Sequence, residues 1–341
     1  MKSRPLLWPL VPAYRLALAL REFQLRAGLK PVRKLSWPVV SIGNLSAGGA
    51  GKTPLTIALA KALTARGLHV DVLSRGYGRG SALPLLVDGS GGVSDFGDEP
   101  LEIARAADVA VLVAAERYDA GVWAEADAKA PHDAEESLVS RAHILDDGFQ
   151  HRQLARDVNI LLLSRADLND HLLPAGNLRE PLQAAARAHV IAIPADEPDL
   201  EAEIRARGWN AQIWGLHRRM DIPDGLAAAP VAAFCGIARP DQFFAGLESA
   251  GLKLAAKAAF ADHHNYTEAD LDRVTAAARN AGATMLLTTE KDRVRLGALA
   301  STLPVLLPIK TVQLRVEIED EDAAIEWLIG SLGSSHPVSR T

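Results

Sequence analysis

Apolar positions along this chain gather into short runs of strand length, separated by longer stretches with helical spacing. Val39–Asn44 reads as a strand, a glycine-rich turn follows, and the spacing predicts a helix over Thr53–Arg66. Val70–Leu73, Val109–Val113, Ile144–Asp146, Val158–Leu163 and Val190–Ile193 are further apolar runs of strand length. Helical stretches rich in Ala, Glu and Arg lie between several of them. This alternation predicts an α/β fold, a mainly parallel sheet flanked on both faces by helices.

A second block opens near Val231. Val231–Cys235 reads as a strand, Pro240 opens a helix running to Ser249, and Leu252–Phe260 is strand-like. Thr267, Glu268, Ala269 and Asp270 form a capping-box-like start for a helix to about Asn280. Met285–Thr288 reads as a strand, Ala323–Leu332 as a terminal helix, and the polar tail Gly333–Thr341 as frayed. The join is expected in the Pro/Gly-rich stretch Asp221–Pro230. The expected organisation is an N-terminal segment over 1–35, a larger domain over 36–225 and a smaller α/β domain over 226–341.

Charge changes the picture first at the N-terminus. Lys2, Arg4, Arg15, Arg21, Arg26, Lys30, Arg33 and Lys34 face a single acid there, Glu22, and leucines and aromatics lie between them. A basic amphipathic stretch of this kind can lie in a membrane interface with its cations toward the headgroups. A signal peptide is a competing reading, because Ala17-Leu18-Ala19 mimics a cleavage site. Pro9, Pro12 and Arg15 interrupt its apolar region, however. The third reading is a helix packed on its own domain. No uncharged apolar stretch reaches the ~18 residues of a membrane span.

Composition narrows the function classes. The 341 residues are 48% hydrophobic and 23% charged, ordinary for a globular protein and unlike a disordered chain. With 37 basic and 42 acidic residues the net charge is −5, which gives no electrostatic footprint for nucleic acid. The single cysteine, Cys235, excludes an intramolecular disulfide and fits a reducing compartment.

The strongest chemical signal is Ser46-Ala47-Gly48-Gly49-Ala50-Gly51-Lys52-Thr53. It follows a predicted strand and opens a predicted helix, the context required of a phosphate-binding loop. Small residues let backbone N–H groups converge on phosphate oxygens, and the helix N-terminus adds partial positive charge. Lys52 can reach β- and γ-phosphates, and Thr53 can coordinate Mg²⁺. Ser46 stands where the strict pattern has Gly. A P-loop also needs an acid for the metal, and Asp146 and Asp147 end an apolar strand as a Walker-B acid should. The expected fold is therefore P-loop NTPase-like. Other polar clusters are Ser74–Gly80, Gly97-Asp98-Glu99-Pro100, Gln150-His151-Arg152 and Asn177–Pro181. In the second block Asp262-His263-His264 lacks the further ligands that zinc requires, so proton handling by one histidine suits it better than a metal, with a purely structural histidine as the alternative.

Taken together these motifs resemble one family. Gly43–Thr53, Leu73–Tyr77, Gly97–Pro100, Leu145–Arg152, Leu173–Pro181, Phe260–His263 and Thr289-Glu290-Lys291-Asp292 occur here in the order seen in the tetraacyldisaccharide 4′-kinases. The resemblance runs from about residue 38 to about residue 295, with Ala261 where Pro is common. It implies ATP-dependent phosphorylation of the 4′-hydroxyl of a tetraacyldisaccharide 1-phosphate, forming lipid IVA in lipid A biosynthesis. It also implies attachment to the cytoplasmic face of the bacterial inner membrane, and no obligate protein partner is inferred.

Position by position, the resemblance implies ATP on Ser46–Thr53 and Mg²⁺ on Asp146 or Asp147. Asp98 and His263 are implied to act together as the base toward the sugar hydroxyl, across a cleft between the two domains that closes by hinge motion. Tyr77, Arg117, Gln150, His151, Asn177, Arg179 and Glu180 are candidates to line the substrate or nucleotide cleft. The alternative class is a P-loop GTPase or ATPase switch at a membrane, and a scaffold with a vestigial P-loop is a third. Thr289–Asp292 only superficially resembles a guanine-specificity element, because its Lys is displaced by one position.

Overall fold

The structure is a computed structural model that describes residues 4–49, 51–127, 140–223, 226, 230–301 and 307–335. Its strands are β1 Val39–Asn44, β2 His69–Ser74, β3 Leu85–Leu86, β4 Ala110–Val113, β5 Arg141–Leu145 and β6 Val158–Leu162. They continue as β7 Val190–Pro194, β8 Gln212–Asp221, β9 Val231–Cys235, β10 Leu254–Ala259, β11 Leu286–Thr289 and β12 Ile309–Ile318. All twelve form one sheet in the order β10-β9-β11-β12-β8-β7-β6-β1-β5-β2-β4-β3. Every neighbouring pair is parallel except β12 with β8 and β3 with β4.

The parallel strands lie where unbroken apolar runs predict them, because a strand covered on both faces has no polar side. β1 and β6 are buried along their whole length. β8 and β12 were not anticipated. They pair antiparallel, β8 carries His217, Arg218 and Arg219 in a row, β12 alternates apolar with charged residues from Leu314 to Ile318, and Arg219 meets Glu317 at 3.0 Å on the exposed face. This pair joins β9–β11 to the rest of the sheet.

The terminal helix, Glu321–Ser335, runs beyond its expected end and returns to the first half. Ile325, Leu328 and Leu332 join a core cluster with Ile42, Leu55 and Leu59. The remainder of the expected frayed tail, residues 336–341, lies outside the described residues.

Near the N-terminus a 3₁₀ turn, Pro5–Leu10, leads into a helix over Val11–Arg26. Val11, Tyr14 and Leu18 pack against a core cluster that includes Leu172 and Leu178. Leu16, Leu20 and Phe23 point away and are 54–63% exposed. These triplets recur at helical spacing, which places them on opposite faces. Among the described residues, no helix is long and apolar enough to cross a membrane.

Strand order sets the position of the site. β1 lies between β5 and β6, so the chain reverses direction across the sheet there. In open α/β sheets the crevice beyond the carboxyl ends of strands at such a point receives ligands.

Candidate active site

The loop after β1 leads into the helix Lys52–Ala65 through Gly51, whose φ is +88°. Gly48 has φ +109°, so both positions favour glycine on backbone grounds. Ala50 lies outside the described residues. The loop's back is held by the Leu173–Pro181 segment: the Ala47 N–H donates to the Asn177 carbonyl at 2.7 Å, and Arg179 N–H to the Leu45 carbonyl at 2.7 Å. Gly43 brings β1 against the turn after β5, since a Cβ there would stand 2.6 Å from Phe149 Cβ. That close approach sets Asp146 and Asp147 beside the loop.

Lys52 Nζ donates to Asn44 Oδ1 at 3.1 Å and lies 3.5 Å from Asp147 Oδ1. Arg179 grips Asp147 with both terminal nitrogens, at 3.0 and 2.9 Å, and donates to Asn44 Oδ1 at 2.7 Å. Burial raises the Asp147 carboxyl, but Lys52 and Arg179 outweigh it and hold the group below the usual carboxylate range. Asp146 is different. It is 2% exposed and accepts from Thr56 Oγ1 at 3.3 Å. Burial, with Glu99 and Asp147 nearby, pushes its carboxyl up to about 7. An under-compensated buried carboxylate is a place where a cation is favourable.

Thr53, Asp146 and Asp147 supply hard oxygen donors, which suit Mg²⁺. Among the described residues no group of three or more His, Cys, Asp or Glu side chains is arranged to hold a metal. Mg²⁺ in nucleotide sites needs only one or two carboxylates, with phosphate and water oxygens completing its shell. The residues present therefore fit the ion.

Asp98 begins the helix Asp98–Ala107, after Gly97 at φ +88°. Its Oδ1 accepts the Glu99 N–H at 3.0 Å, and its Oδ2 lies 2.9 Å from His263 Nδ1. Lys291 Nζ is 3.8 Å from Asp98 and 3.1 Å from Glu99. Burial raises the Asp98 carboxyl, and the His263 hydrogen bond with the Lys291 and Arg295 charges overcomes this and keeps it ionised. His263 has φ +59°, and its ring is 38% exposed. Its Nε2 stands 3.9 Å from the Asp262 carboxylate, beyond hydrogen-bonding distance. The two halves of the chain thus meet at Asp98 and His263.

The cleft candidates divide by their surroundings. Tyr77 is 70% exposed, with its ring 5.8 Å from that of His263. Arg117 is buried at the start of the helix Arg117–Asp127, near both Asp146 and Asp147. Gln150 Nε2 donates to the Asn44 carbonyl at 2.9 Å. Burial and four surrounding arginines push His151 down to about 4. Asn177 donates to Asp170 at 2.9 Å, and Glu180 is paired with Arg187, so these two side chains brace the Leu173–Pro181 segment.

Sequence reasoning passed over Asn44, Lys291 and Arg295 as individual participants. Lys291 and Arg295 lie four apart on the helix Glu290–Leu296, so both reach the same carboxylates. That spacing after Thr289-Glu290-Lys291-Asp292 was the available signal. Two of the motif's residues, Thr289 and Asp292, brace the fold. Thr289 caps the helix by accepting the Asp292 N–H at 3.1 Å, a cap worth about 1 kcal/mol. Asp292 Oδ1 accepts Gly236 N–H and Tyr266 O–H, each at 3.0 Å. An aspartate so engaged, and 0% exposed, is not available to read a guanine base.

Residues 3–332 match the model of the tetraacyldisaccharide-1-P 4′-kinase family. A tetraacyldisaccharide 4′-kinase from Koribacter versatilis is 40% identical, covering 94% of this chain and 97% of its own. One from Geobacter metallireducens is 39% identical, covering 86% and 88%. The crystal structure of LpxK from Aquifex aeolicus in complex with ATP superposes with a TM-score of 0.72 at 30% identity, covering 96% of this chain and 98% of that one. The match runs through the P-loop, the Asp146 turn and the helix that carries Arg295, and so the chain belongs to the tetraacyldisaccharide-1-P 4′-kinase family.

Proposed function

We propose that this chain transfers the γ-phosphate of ATP to the 4′-hydroxyl of a tetraacyldisaccharide 1-phosphate at a membrane surface. The observation that carries the reading is the His263–Asp98 contact at 2.9 Å, in a chain whose first strand runs through a P-loop into the helix that Lys52 begins. A switch that only hydrolyses nucleotide has no need of a base pair assembled from two distant parts of the chain.

Phosphoryl transfer is chiefly positioning and charge stabilisation. The amides of residues 46–53 and Lys52 would hold the triphosphate. Mg²⁺, when bound, neutralises charge on the β- and γ-phosphate oxygens, and Thr53, Asp146 and Asp147 would hold it. Asp146 is the better direct ligand, since Asp147 is already gripped by Arg179 and Lys52. The acceptor hydroxyl would give its proton to His263 Nε2 as its oxygen bonds to the γ-phosphorus and the bond to the ADP oxygen breaks. Asp98 on Nδ1 orients the imidazole and offsets the charge it gains. Acceptor-dependent ADP formation tests this: one ADP per lipid consumed is expected, and hydrolysis at a rate indifferent to the lipid would favour the switch.

The N-terminal helix would bring the site to its lipid. Leu16, Leu20 and Phe23 face outward, while the helix is tied to the site through the Tyr14 side chain, whose hydroxyl donates to the Arg179 carbonyl at 2.9 Å. Each cation near an anionic leaflet adds about 1 kcal/mol. Replacing Leu16, Leu20 and Phe23 with Ser is expected to reduce co-flotation with anionic vesicles by more than about tenfold, at ~0.8 kcal/mol per CH₂ withdrawn from lipid. Unchanged flotation would remove the membrane-docking role of this face.

A further inference from the structure

The Arg295 side chain is 2% exposed and lies at the base of the Asp98–His263 pair. Its guanidinium reaches groups on three separate segments. Nε donates to Asp98 Oδ2 at 2.8 Å, and Nη2 stands 3.2 Å from His263 Nδ1. Nη1 donates to the Gly236 carbonyl and to Asp292 Oδ1, the latter at 3.2 Å. Asp292 is itself fixed by Gly236 N–H and Tyr266 O–H. Arg295 is therefore anchored on one side in a buried network and presents its other edge to the catalytic carboxylate.

We infer that Arg295 is a positioning residue for phosphoryl transfer, holding Asp98 in the orientation that aligns His263. The inference rests on the reading of Asp98 and His263 as the proton-accepting pair. Asp98 has one other fixed anchor, the Glu99 N–H on Oδ1. Without Arg295, its Oδ2 would be left to His263 and to Lys291, which is 3.8 Å away and closer to Glu99. The carboxylate would then turn toward Lys291 and draw the imidazole with it. His263 has little else to orient it: Asp262 is 3.9 Å from Nε2, and the Tyr77 ring is 5.8 Å away. A planar fork can bond Asp98 and the Gly236 carbonyl together, whereas one ammonium group must choose between them.

The test uses the full chain with Mg·ATP and the tetraacyldisaccharide 1-phosphate in mixed micelles, comparing Arg295→Lys, Arg295→Gln and His263→Gln. A misplacement of this kind costs about 10²-fold, so Arg295→Gln is expected to lower kcat by roughly that factor. Arg295→Lys, with charge but no fork, is expected to lose about tenfold. In both, KM for ATP should stay within about twofold, because the residue touches no part of the P-loop. Near-normal kcat in both variants overturns the inference, as does a rise in KM for ATP equal to any fall in kcat. If Arg295→Gln does not fold, Arg295→Lys decides alone, and full turnover there refutes the role. Full turnover by His263→Gln would instead remove the underlying reading of the pair, whatever the Arg295 variants show.

Discussion

Alanine at Lys52 is expected to lower kcat by about a thousandfold, a loss of ~4 kcal/mol of transition-state stabilisation. Lys52 is the cation that begins the helix Lys52–Ala65, and its side chain is only 12% exposed. There it is held between Asn44 Oδ1 at 3.1 Å and Asp147 Oδ1 at 3.5 Å, aligned at the loop rather than free in solvent. A charge fixed before the reaction stabilises the transferring phosphoryl group without reorganising. The fold should survive, because Asp147 keeps both contacts to Arg179. Steady-state kinetics alongside thermal denaturation check both parts. Turnover within tenfold of the parent would mean that this loop is not where the phosphoryl group is transferred.

His263→Gln and Asp98→Asn are expected to lower kcat by about 10²–10⁴-fold while ATP affinity changes little. Glutamine can hydrogen-bond at the His263 position but cannot accept a proton near neutral pH. Asparagine keeps the shape of Asp98 but not its charge beside the imidazole. The two variants should differ in stability. His263→Gln leaves the buried Asp98–Arg295 pair intact, whereas Asp98→Asn leaves Arg295, 2% exposed, beside a neutral amide. Arg295 keeps Asp292 as a second anionic partner at 3.2 Å, so Asp98→Asn should melt at lower temperature, by less than the about 3–5 kcal/mol of a buried charge left with no partner. Equal melting temperatures with unequal turnover would separate chemistry from packing in the opposite sense. Near-normal turnover in both would defeat the assignment of the base.

Much of this site is legible in the sequence because local chemistry dictates it. The P-loop must be Gly-rich to turn β1 into a helix with its amides converging, and two of its glycines do carry positive φ. The parallel strands announce themselves as apolar runs. β8 and β12 were missed because they are half-solvated and interrupted by charged residues, with pairs such as Arg219 and Glu317 on the open face. Arg295 was missed for another reason. An arginine in a short charged helix resembles a solvated one, and the contacts that bury it reach Asp98, Gly236 and His263, far away in sequence. The N-terminal helix, whose alternation of cations and apolar residues left its packing open, has two faces. Its Val11 face packs, and its Leu16–Phe23 face is open.

The most direct measurement is to supply γ-labelled ATP, Mg²⁺ and the tetraacyldisaccharide 1-phosphate, and to locate the label in the products. Label is predicted on a new phosphate monoester at the sugar 4′-oxygen, and its formation should collapse in His263→Gln. Label found only as inorganic phosphate, released at the same rate with and without the lipid, would contradict it.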